Sequence, residues 1–304
     1  MKTSVLLLVY IKPSTTLQVI NKLREVKASK IYISINVPPK KNKSEIIKNN
    51  KVIEIIDKID WKCKIILKKR KKHIDAYNSY KSAINWFFKN ENEGIILEDD
   101  TLPNKSFFYF CQKMLKIFKN DTRISQICGS SFINKKSKYN YSFSNYTLCW
   151  GYATWKRSIK DFDEKMKDWP KFKKKNFLYG ILKNKRFVDY WSNIFDIQYS
   201  KKFSAWDYIW LYSNWKKNKF SIIPHKHLIK NIGFVKDATH TKIRYRDWYN
   251  NFETSEFKTF NFKKQPIKLD SNYDLWLSKK IFKINLIYLK KKLFFLKKIK
   301  NFFI

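Results

Sequence analysis

The sequence predicts an α/β fold built on a mostly parallel sheet with helices on both faces. Short apolar runs alternate with segments of helical periodicity through the first half of the chain, which is the pattern of strand–helix–strand units. Hydrophobic residues make up 44% of the 304 residues, enough to bury a sheet on both sides. The 5 glycines and 7 prolines are too few for an all-β chain with many turns.

The predicted elements of the first half follow one another in regular order. Each strand is a short apolar run, and each helix places its apolar residues on one side. The predicted strands cover residues 4–11, 31–37, 64–67 and 94–97, and the predicted helices cover residues 14–26, 76–88 and 106–118. The first helix is expected to begin with Ser14 as its N-cap and to bury Leu17.

The second half of the chain is rich in aromatic residues. Seven tryptophans fall between residues 150 and 215 among short elements. We expect an aromatic-rich subdomain, with a soft boundary that separates residues 1–130 from residues 131–278. The lysine-rich segment 168–185 is predicted to be an exposed loop.

Residues 279–304 form a tail with nine lysines and no acid. On a helical wheel of about 100° per residue, most of the lysines share one face and the apolar residues gather opposite. The tail is therefore predicted to be a basic amphipathic helix, which is typical of a helix lying in a membrane interface. A helix docked on the protein's own surface is the alternative.

The net charge of +40 predicts attraction to anionic partners, which include a sugar nucleotide, a phospholipid surface and nucleic acid. Specific nucleic-acid recognition favours arginine, and only seven of the 65 basic residues are arginines. We therefore expect no specific nucleic-acid partner, although a basic, aromatic nucleic-acid-binding protein stays an alternative.

The four cysteines have no C-x-x-C spacing and are expected to be free thiols in a reducing cytosol. The apolar run 4–11 is too short for a signal peptide or a membrane span and lacks a cleavage site. We therefore expect a cytoplasmic protein, held peripherally at the inner face of the cytoplasmic membrane if the tail binds lipid.

An acidic triplet is the most informative feature of the chain. Glu98, Asp99 and Asp100 follow the predicted strand 94–97 and precede Pro103 and a helix. Ligands of open α/β sheets bind beyond the carboxyl ends of the strands. Adjacent acids at such a place repel one another unless a cation compensates, and a hard divalent metal shared with substrate phosphates does so. The sequence therefore predicts a metal–nucleotide site, with a solvated acidic loop as the alternative.

The acidic segment resembles the DXD-type motif of GT-A glycosyltransferases. The chain resembles, more specifically, the bacterial nucleotide-diphospho-sugar transferases of the hemolytic protein HlpA-like group, which are related to N-acetylglucosaminyltransferase I. Further similar segments occur in the same order at residues 61–63 (WKC), 84–88 (INWFF), 141–144 (YSFS), 150–157 (WGYATWKR), 206–210 (WDYIW), 231–234 (NIGF) and 237–241 (DATHT). The resemblance covers roughly residues 1–245.

The resemblance implies a GT-A fold and a metal-dependent transfer of sugar from a nucleotide-diphosphate donor to a surface-glycan acceptor, such as lipopolysaccharide or capsule. The first half would bind the sugar nucleotide and the second half the glycan or glycolipid acceptor. Asp100 would bind manganese or magnesium, with Glu98 and Asp99 facing the ribose and the donor sugar. His240 would complete the metal site.

Two segments depart from the pattern of that family. Residues 36–38 read Asn-Val-Pro where the family has Asp-Gly-Pro, and residues 73–75 read His-Ile-Asp in place of Asn-Leu-Gly. We expect Asn36 and Asp75 to contact the donor nucleotide. The missing glycines limit how closely the backbone approaches a nucleotide, so a non-catalytic protein of the same fold is a second alternative.

Asp207 is the candidate catalytic base. An inverting transfer needs a carboxylate that accepts the proton of the attacking acceptor hydroxyl. Asp207 lies within an aromatic segment at 206–210, where burial would raise the pKa of a carboxylate. A helix-capping aspartate is the alternative interpretation, and Asp189 and Asp196 are weaker candidates for the base.

Other basic residues are given smaller roles. Lysines or Arg157 are expected to stabilise the departing diphosphate, and His225 and His227 are expected at the surface. A metal-dependent phosphotransferase or nuclease would use the same acidic triplet, but it would ordinarily need further acids for a second metal.

Overall fold

The computed structural model describes residues 1–135, 139–201, 204–233, 252–260 and 262–285. The strands within these ranges are β1 (Val5–Val9), β2 (Lys30–Ile35), β3 (Lys64–Lys69), β4 (Glu93–Glu98), β5 (Thr101–Pro103), β6 (Ile124–Cys128), β7 (Tyr141–Ser144), β8 (Tyr152–Trp155), β9 (Phe220–Pro224) and β10 (Ile229–Asn231). The helices are α1 (Pro13–Glu25), α2 (Lys43–Asp57), α3 (Ala76–Asn90), α4 (Lys105–Ile117), α5 (Lys156–Ile159), α6 (Trp169–Lys174), α7 (Phe177–Leu182), α8 (Lys185–Tyr199), α9 (Trp206–Lys216) and α10 (Ser271–Lys280).

An eight-stranded sheet forms the centre of the described structure. Its strand order is β3-β2-β1-β4-β8-β6-β9-β7. The neighbours among β3, β2, β1 and β4 are parallel, and β6 and β9 are also a parallel pair. β8 runs antiparallel between β4 and β6, and β7 is antiparallel to β9. The predicted α/β fold with a mostly parallel sheet is confirmed.

Apolar side chains cover both faces of this sheet. Along β1, Val5 and Leu7 lie in a core with α1, α2 and α4, whereas Leu6 points to the opposite face and packs with α3 and α9. This alternation follows from the two-residue period of a strand. A further core around Trp191 and Trp215 joins α8, α9 and α10. The helices therefore pack against both faces of the sheet.

The start of α1 differs from the prediction. Lys12 is the N-cap and no side chain caps the helix, so Ser14 lies inside the first turn. Pro13 occupies the first helical position, which needs no N–H donor and suits its fixed φ. The expected burial of Leu17 is also wrong: its side chain is 46% exposed, and Thr16 and Val19 are the residues that α1 buries there.

The structures of two other segments differ from what their sequence pattern predicts. The pattern does not reveal α2, because its apolar residues are interrupted by lysines and asparagines; Asn42 caps it by accepting from the backbone N–H of Glu45 at 3.1 Å. The segment 168–185 is not an exposed loop, since it contains α6 and α7. Trp169 and Leu178 anchor these short helices and are only 1% and 2% exposed.

The described residues include only the beginning of the predicted tail. α10 ends at Lys280, residues 281–285 continue beyond it, and residues 286–304 of the predicted amphipathic helix lie outside the described residues. Within the part of the chain that the structure describes, every helix is too short or too polar to cross a bilayer.

Candidate functional site

The acidic triplet forms a tight turn between β4 and β5, at the carboxyl edge of the parallel strands. The Thr101 hydroxyl donates to the carbonyl of Glu98 at 3.0 Å and accepts from its N–H at 2.9 Å, which closes the turn. β5 pairs with β10, and the N–H of Ile232 donates to the carbonyl of Asp100 at 2.8 Å. The turn is therefore fixed by the hydrogen bonds of Thr101 within it and by the neighbouring strand β10.

Gly233 lies against the Asp100 carboxylate. A Cβ atom on Gly233 would lie 2.1 Å from Asp100 Oδ2 and 2.8 Å from its Cγ. The Gly233 N–H donates to Asn231 Oδ1 at 2.9 Å, which fixes this close approach. Any side chain at position 233 would therefore displace either the strand end or the carboxylate.

The turn opens on a cavity of about 480 Å³, which we call the acid cavity. The carboxyl ends of β1, β2 and β4 and the first turn of α3 contribute its walls. Five residues named from the sequence line it together: Asn36, Asp75, Glu98, Asp99 and Asp100. The topology of the sheet thus brings the predicted residues to one place, while their roles in binding stay predictions.

Lys12 also lines the acid cavity, and the sequence analysis did not single it out. Its Nζ lies 2.6 Å from Asp100 Oδ2, with the two side chains 23% and 15% exposed. Burial lowers the pKa of Lys12, but attraction to Asp100, with smaller contributions from Asp99 and Glu98, raises it overall. The signal that would have found Lys12 is a basic residue placed between a buried strand and a helix start.

The two other acids of the turn are held away from solvent. Burial raises the pKa of Asp99 to about 7, and repulsion from Asp100 adds to the shift while Lys12 opposes it. Burial likewise raises the pKa of Glu98 to about 8, and repulsion from both neighbouring acids contributes. A cation added beside the turn would offset this repulsion and favour the ionised form of both acids.

Asn36 lines the acid cavity just after β2. Its Nδ2 donates to the carbonyl of Ile74 at 2.9 Å, and this bond orients the amide. Among the described residues no group hydrogen-bonds to its Oδ1, although Asn36 is only 8% exposed. An unpaired buried acceptor costs about 1–3 kcal/mol, which is a feature of sites that complete their hydrogen bonds with a ligand or water. His73 covers this corner through contact of its Nδ1 with the carbonyl of Val37 at 2.8 Å.

Asp75 already has a structural role at the cavity wall. It caps α3 by accepting from the Asn78 N–H at 2.9 Å and from the Asn78 side-chain amide at 2.7 Å. These hydrogen bonds lower the pKa of Asp75. Asp75 therefore stays ionised beside the cavity, with each carboxylate oxygen engaged by Asn78.

Asp207 lines a second cavity of about 340 Å³, which we call the Asp207 cavity. It lies in the first turn of α9, with its side chain exposed to the cavity. The protein packed around it nevertheless raises the pKa of Asp207 by desolvation. Asp207 also contributes to the raised pKa of Glu98, so the two cavities lie within electrostatic reach of each other. Cys149, which lines the Asp207 cavity, is near both acids.

The two competing aspartates are engaged elsewhere. Asp189 pairs with Lys185 at 3.0 Å on the surface of α8. Asp196 accepts from Trp169 Nε1 at 3.0 Å and pairs with Lys173 at 2.7 Å. The walls of the Asp207 cavity include neither of them.

Arg157 and two histidines differ from expectation. The Arg157 guanidinium donates to three backbone carbonyls near the end of α4 and the start of β6, and it lines neither cavity.

His225 and His227 are not at the surface, since they are 3% and 1% exposed. Burial lowers the pKa of His225 to about 4 and that of His227 to about 3. His227 Nδ1 accepts from the backbone N–H of Phe132 at 3.0 Å, beside the Asp207 cavity.

The described residues fit a cation that is shared with a ligand. No group of three or more His, Cys, Asp or Glu side chains within the described ranges is arranged to hold a metal by itself. Asp100 offers hard carboxylate oxygens, and the ammonium of Lys12 stands where a cation would bind it. One carboxylate with substrate phosphates is a usual magnesium or manganese site. His240, the other predicted ligand, lies outside the described residues.

The sequence matches no protein-family model and no curated protein. Solved structures with a similar fold include nucleotide-sugar transferases and nucleotidyltransferases at low identity. A mannosyltransferase from Pyrobaculum calidifontis, in complex with GDP-Man and Mn²⁺, is 10% identical with a TM-score of 0.32 over 53% of this chain and 46% of that chain. The 4-diphosphocytidyl-2C-methyl-D-erythritol synthase from Anaerococcus prevotii is 9% identical with a TM-score of 0.38 over 72% and 87%. An apo UDP-glucose pyrophosphorylase is 8% identical with a TM-score of 0.36 over 74% and 90%.

Proposed function

We propose that the protein is a glycosyltransferase that binds a nucleotide-diphosphate sugar in the acid cavity and an acceptor glycan in the Asp207 cavity. The observation that carries this proposal is the acid turn at the carboxyl edge of parallel strands, facing a cavity of about 480 Å³ that also holds Lys12 and Asn36. A cavity of this size suits a nucleotide. The motifs that resemble GT-A transferases of the HlpA-like group support the same assignment.

The diphosphate would bind between Lys12 and Asp100. α1 begins directly after Lys12 and has no acid in its first turn, so its N-terminus favours an anion. Asp100 would hold manganese or magnesium together with the phosphates, and the metal would stabilise charge on the departing diphosphate. Glu98 and Asp99 would face the ribose and the donor sugar.

The nucleoside would extend toward Asn36. Its oriented amide leaves Oδ1 as an acceptor with no partner in the part of the chain that the structure describes, and such an acceptor is complementary to an N–H group of a nucleobase. Asp75 lies on the wall of the same cavity and would add negative potential there rather than a directed contact, because Asn78 already engages both of its carboxylate oxygens.

Asp207 would act as the base of an inverting transfer. Its raised pKa makes the carboxylate a better proton acceptor than a solvated aspartate. The cavity around it presents Trp150 and Tyr208, and aromatic walls of this kind pack against sugar rings. The hydroxyl of the acceptor would lose its proton to Asp207 as its oxygen attacks the donor sugar.

The start of the basic tail forms part of the Asp207 cavity. Ile281 and Phe282 line it, and the Phe282 ring packs on Tyr146 and Trp191 at centroid distances of 5.2 and 5.1 Å. This position supports a lipid-linked acceptor of surface-glycan synthesis, delivered at the inner face of the cytoplasmic membrane where the tail would bind.

Removing residues 286–304 should release the protein from anionic vesicles without weakening nucleotide binding. Unchanged vesicle binding would refute the role of the tail.

Calorimetric titration tests the donor site. UDP, GDP and CDP are each titrated with manganese and with chelator into the wild type, Asp100→Asn and Lys81→Met. We expect one nucleotide to bind only with manganese, and Asp100→Asn to weaken it by about tenfold or more. Lys81→Met breaks a surface ion pair with Glu164 and should have no effect. Absence of binding by all three nucleotides would refute the proposal, and nucleotide binding without transfer to any acceptor would indicate the non-catalytic alternative.

A further inference from the structure

We propose that Lys12 occupies the cation position at Asp100 until a nucleotide diphosphate draws its ammonium away, so that a divalent metal and a nucleotide each bind more tightly in the presence of the other. The inference rests on the proposed function. It assigns a positioning and regulatory role to a residue that the sequence motifs do not mark.

The first observation is the way in which the Asp100 carboxylate is covered. The Lys12 ammonium lies 2.6 Å from Oδ2, and Gly233 packs so closely that a Cβ there would be 2.1 Å from the same oxygen. A divalent ion at Oδ2 would sit next to the ammonium and be repelled by it. In this arrangement Asp100 can bind Lys12 or a metal, but not both at Oδ2.

The second observation is that the backbone of Lys12 is anchored while its side chain is long. The Lys12 carbonyl accepts from the N–H of Thr16 at 3.0 Å and from the Thr16 hydroxyl at 2.7 Å, and Pro13 follows it. A flexible four-carbon stem can move the ammonium by rotation of the side chain alone. Release of Asp100 therefore needs no change in the fold.

The third observation is the balance of charge at the turn. Lys12 faces three acids, since Asp100, Asp99 and Glu98 all act on it. A bound diphosphate adds negative charge beside the N-terminus of α1 and competes with Asp100 for the ammonium. Once Lys12 turns to the phosphates, Asp100 lacks a cation, and its carboxylate would be free to hold a divalent ion together with the phosphates. The affinities of metal and nucleotide must then be coupled reciprocally.

Electron paramagnetic resonance of free Mn²⁺ tests the blocking step. Mn²⁺ alone is titrated into the wild type, Lys12→Met and Lys81→Met, with circular dichroism to establish that each is folded. Lys81→Met removes the same charge from an ion pair of the same 2.6 Å length outside the acid cavity. We expect Lys12→Met to bind Mn²⁺ about tenfold more tightly than the wild type and than Lys81→Met. The gain should vanish in Lys12→Met combined with Asp100→Asn. Equal Mn²⁺ affinity of folded Lys12→Met and wild type would overturn the inference.

A second titration tests the release step. Mn²⁺ is added in the presence of the nucleotide among UDP, GDP and CDP that binds. The nucleotide should raise the Mn²⁺ affinity of the wild type by about tenfold and that of Lys12→Met by distinctly less. An equal increase in both proteins would refute the exchange. If no nucleotide binds the wild type with Mn²⁺, the proposed function fails, and the titration with Mn²⁺ alone still decides whether Lys12 blocks Asp100.

Discussion

The acid cavity and the Asp207 cavity are built in different ways. The acid cavity is formed at the ends of adjacent parallel strands, and its polar groups are held by hydrogen bonds such as those of Asn36 and Thr101. The Asp207 cavity is lined by residues from five separate segments that lie between residues 130 and 282. The comparison indicates that the first cavity is specified by strand topology and charge, and the second by the packing of distant segments.

The two cavities also differ in the number of charged groups that they hold. The acid cavity concentrates three acids and Lys12 in one ion-paired turn. The Asp207 cavity holds one carboxylate beside Ser130 and Thr147 as well as aromatic side chains, and desolvation is the main cause of the raised pKa of Asp207. Removing a charge should therefore affect binding in the first cavity and proton transfer in the second.

Asp207→Asn should produce the largest effect and should separate the two cavities. The amide cannot accept the acceptor proton, so we expect kcat of sugar transfer to fall by about 10³-fold. Nucleotide affinity measured by calorimetry should change little, because Asp207 does not line the acid cavity. Asp189→Asn, which alters an aspartate paired with Lys185 on the surface, is the control. Full transfer activity in Asp207→Asn would show that the base lies elsewhere.

Gly233→Ala should damage the acid cavity alone. The new Cβ would overlap Asp100 Oδ2 at 2.1 Å, so the carboxylate must move away from Lys12 and from any shared cation. We expect nucleotide binding in the presence of manganese to weaken by about tenfold. Gly180→Ala is a matched control, because a Cβ at Gly180 meets no atom within 4 Å. Unchanged nucleotide binding in Gly233→Ala would mean that the position of the Asp100 carboxylate does not matter for this binding.

The difference between strand topology and the packing of distant segments also explains which features the sequence could predict. Strand ends in a parallel sheet meet at one edge, so Asn36 and Asp100 could be expected near each other from their positions in the strand–helix pattern. The contact of Lys12 with Asp100 depends on a side-chain rotamer, which a pattern does not contain. The sequence predicts His227 at the surface because it flanks Lys226 shortly after Pro224, whereas its burial depends on contacts with Ser131, Phe132 and Phe252. Phe282 reaches the Asp207 cavity by a long-range contact with no local signal.

Acid should weaken the packing beside the Asp207 cavity through His227. Burial lowers the pKa of His227 from 6.5 to about 3, so the unfolded chain takes up this proton first as pH falls. The stabilisation is complete above pH 6.5 and is lost progressively between pH 6.5 and about 3. In denaturant titrations, His227→Gln should reduce the acid-induced fall in the free energy of unfolding by up to about 1.4 kcal/mol per pH unit. Identical pH dependence in wild type and variant would contradict the buried, neutral imidazole.

Phe282→Ala should have the smallest effect and should test whether the Asp207 cavity binds the acceptor. Phe282 is half-buried against Tyr146 and Trp191, so its loss opens one wall without touching the acid cavity. We expect KM for the acceptor to rise about fivefold, with nucleotide affinity and kcat nearly unchanged, because only contacts common to bound and reacting acceptor are removed. Phe260→Ala is the control, because it removes a ring that is 42% exposed and lines neither cavity. A rise in nucleotide Kd instead would mean that the two cavities act as one site, since a wall of the acceptor side would then be shaping the donor side.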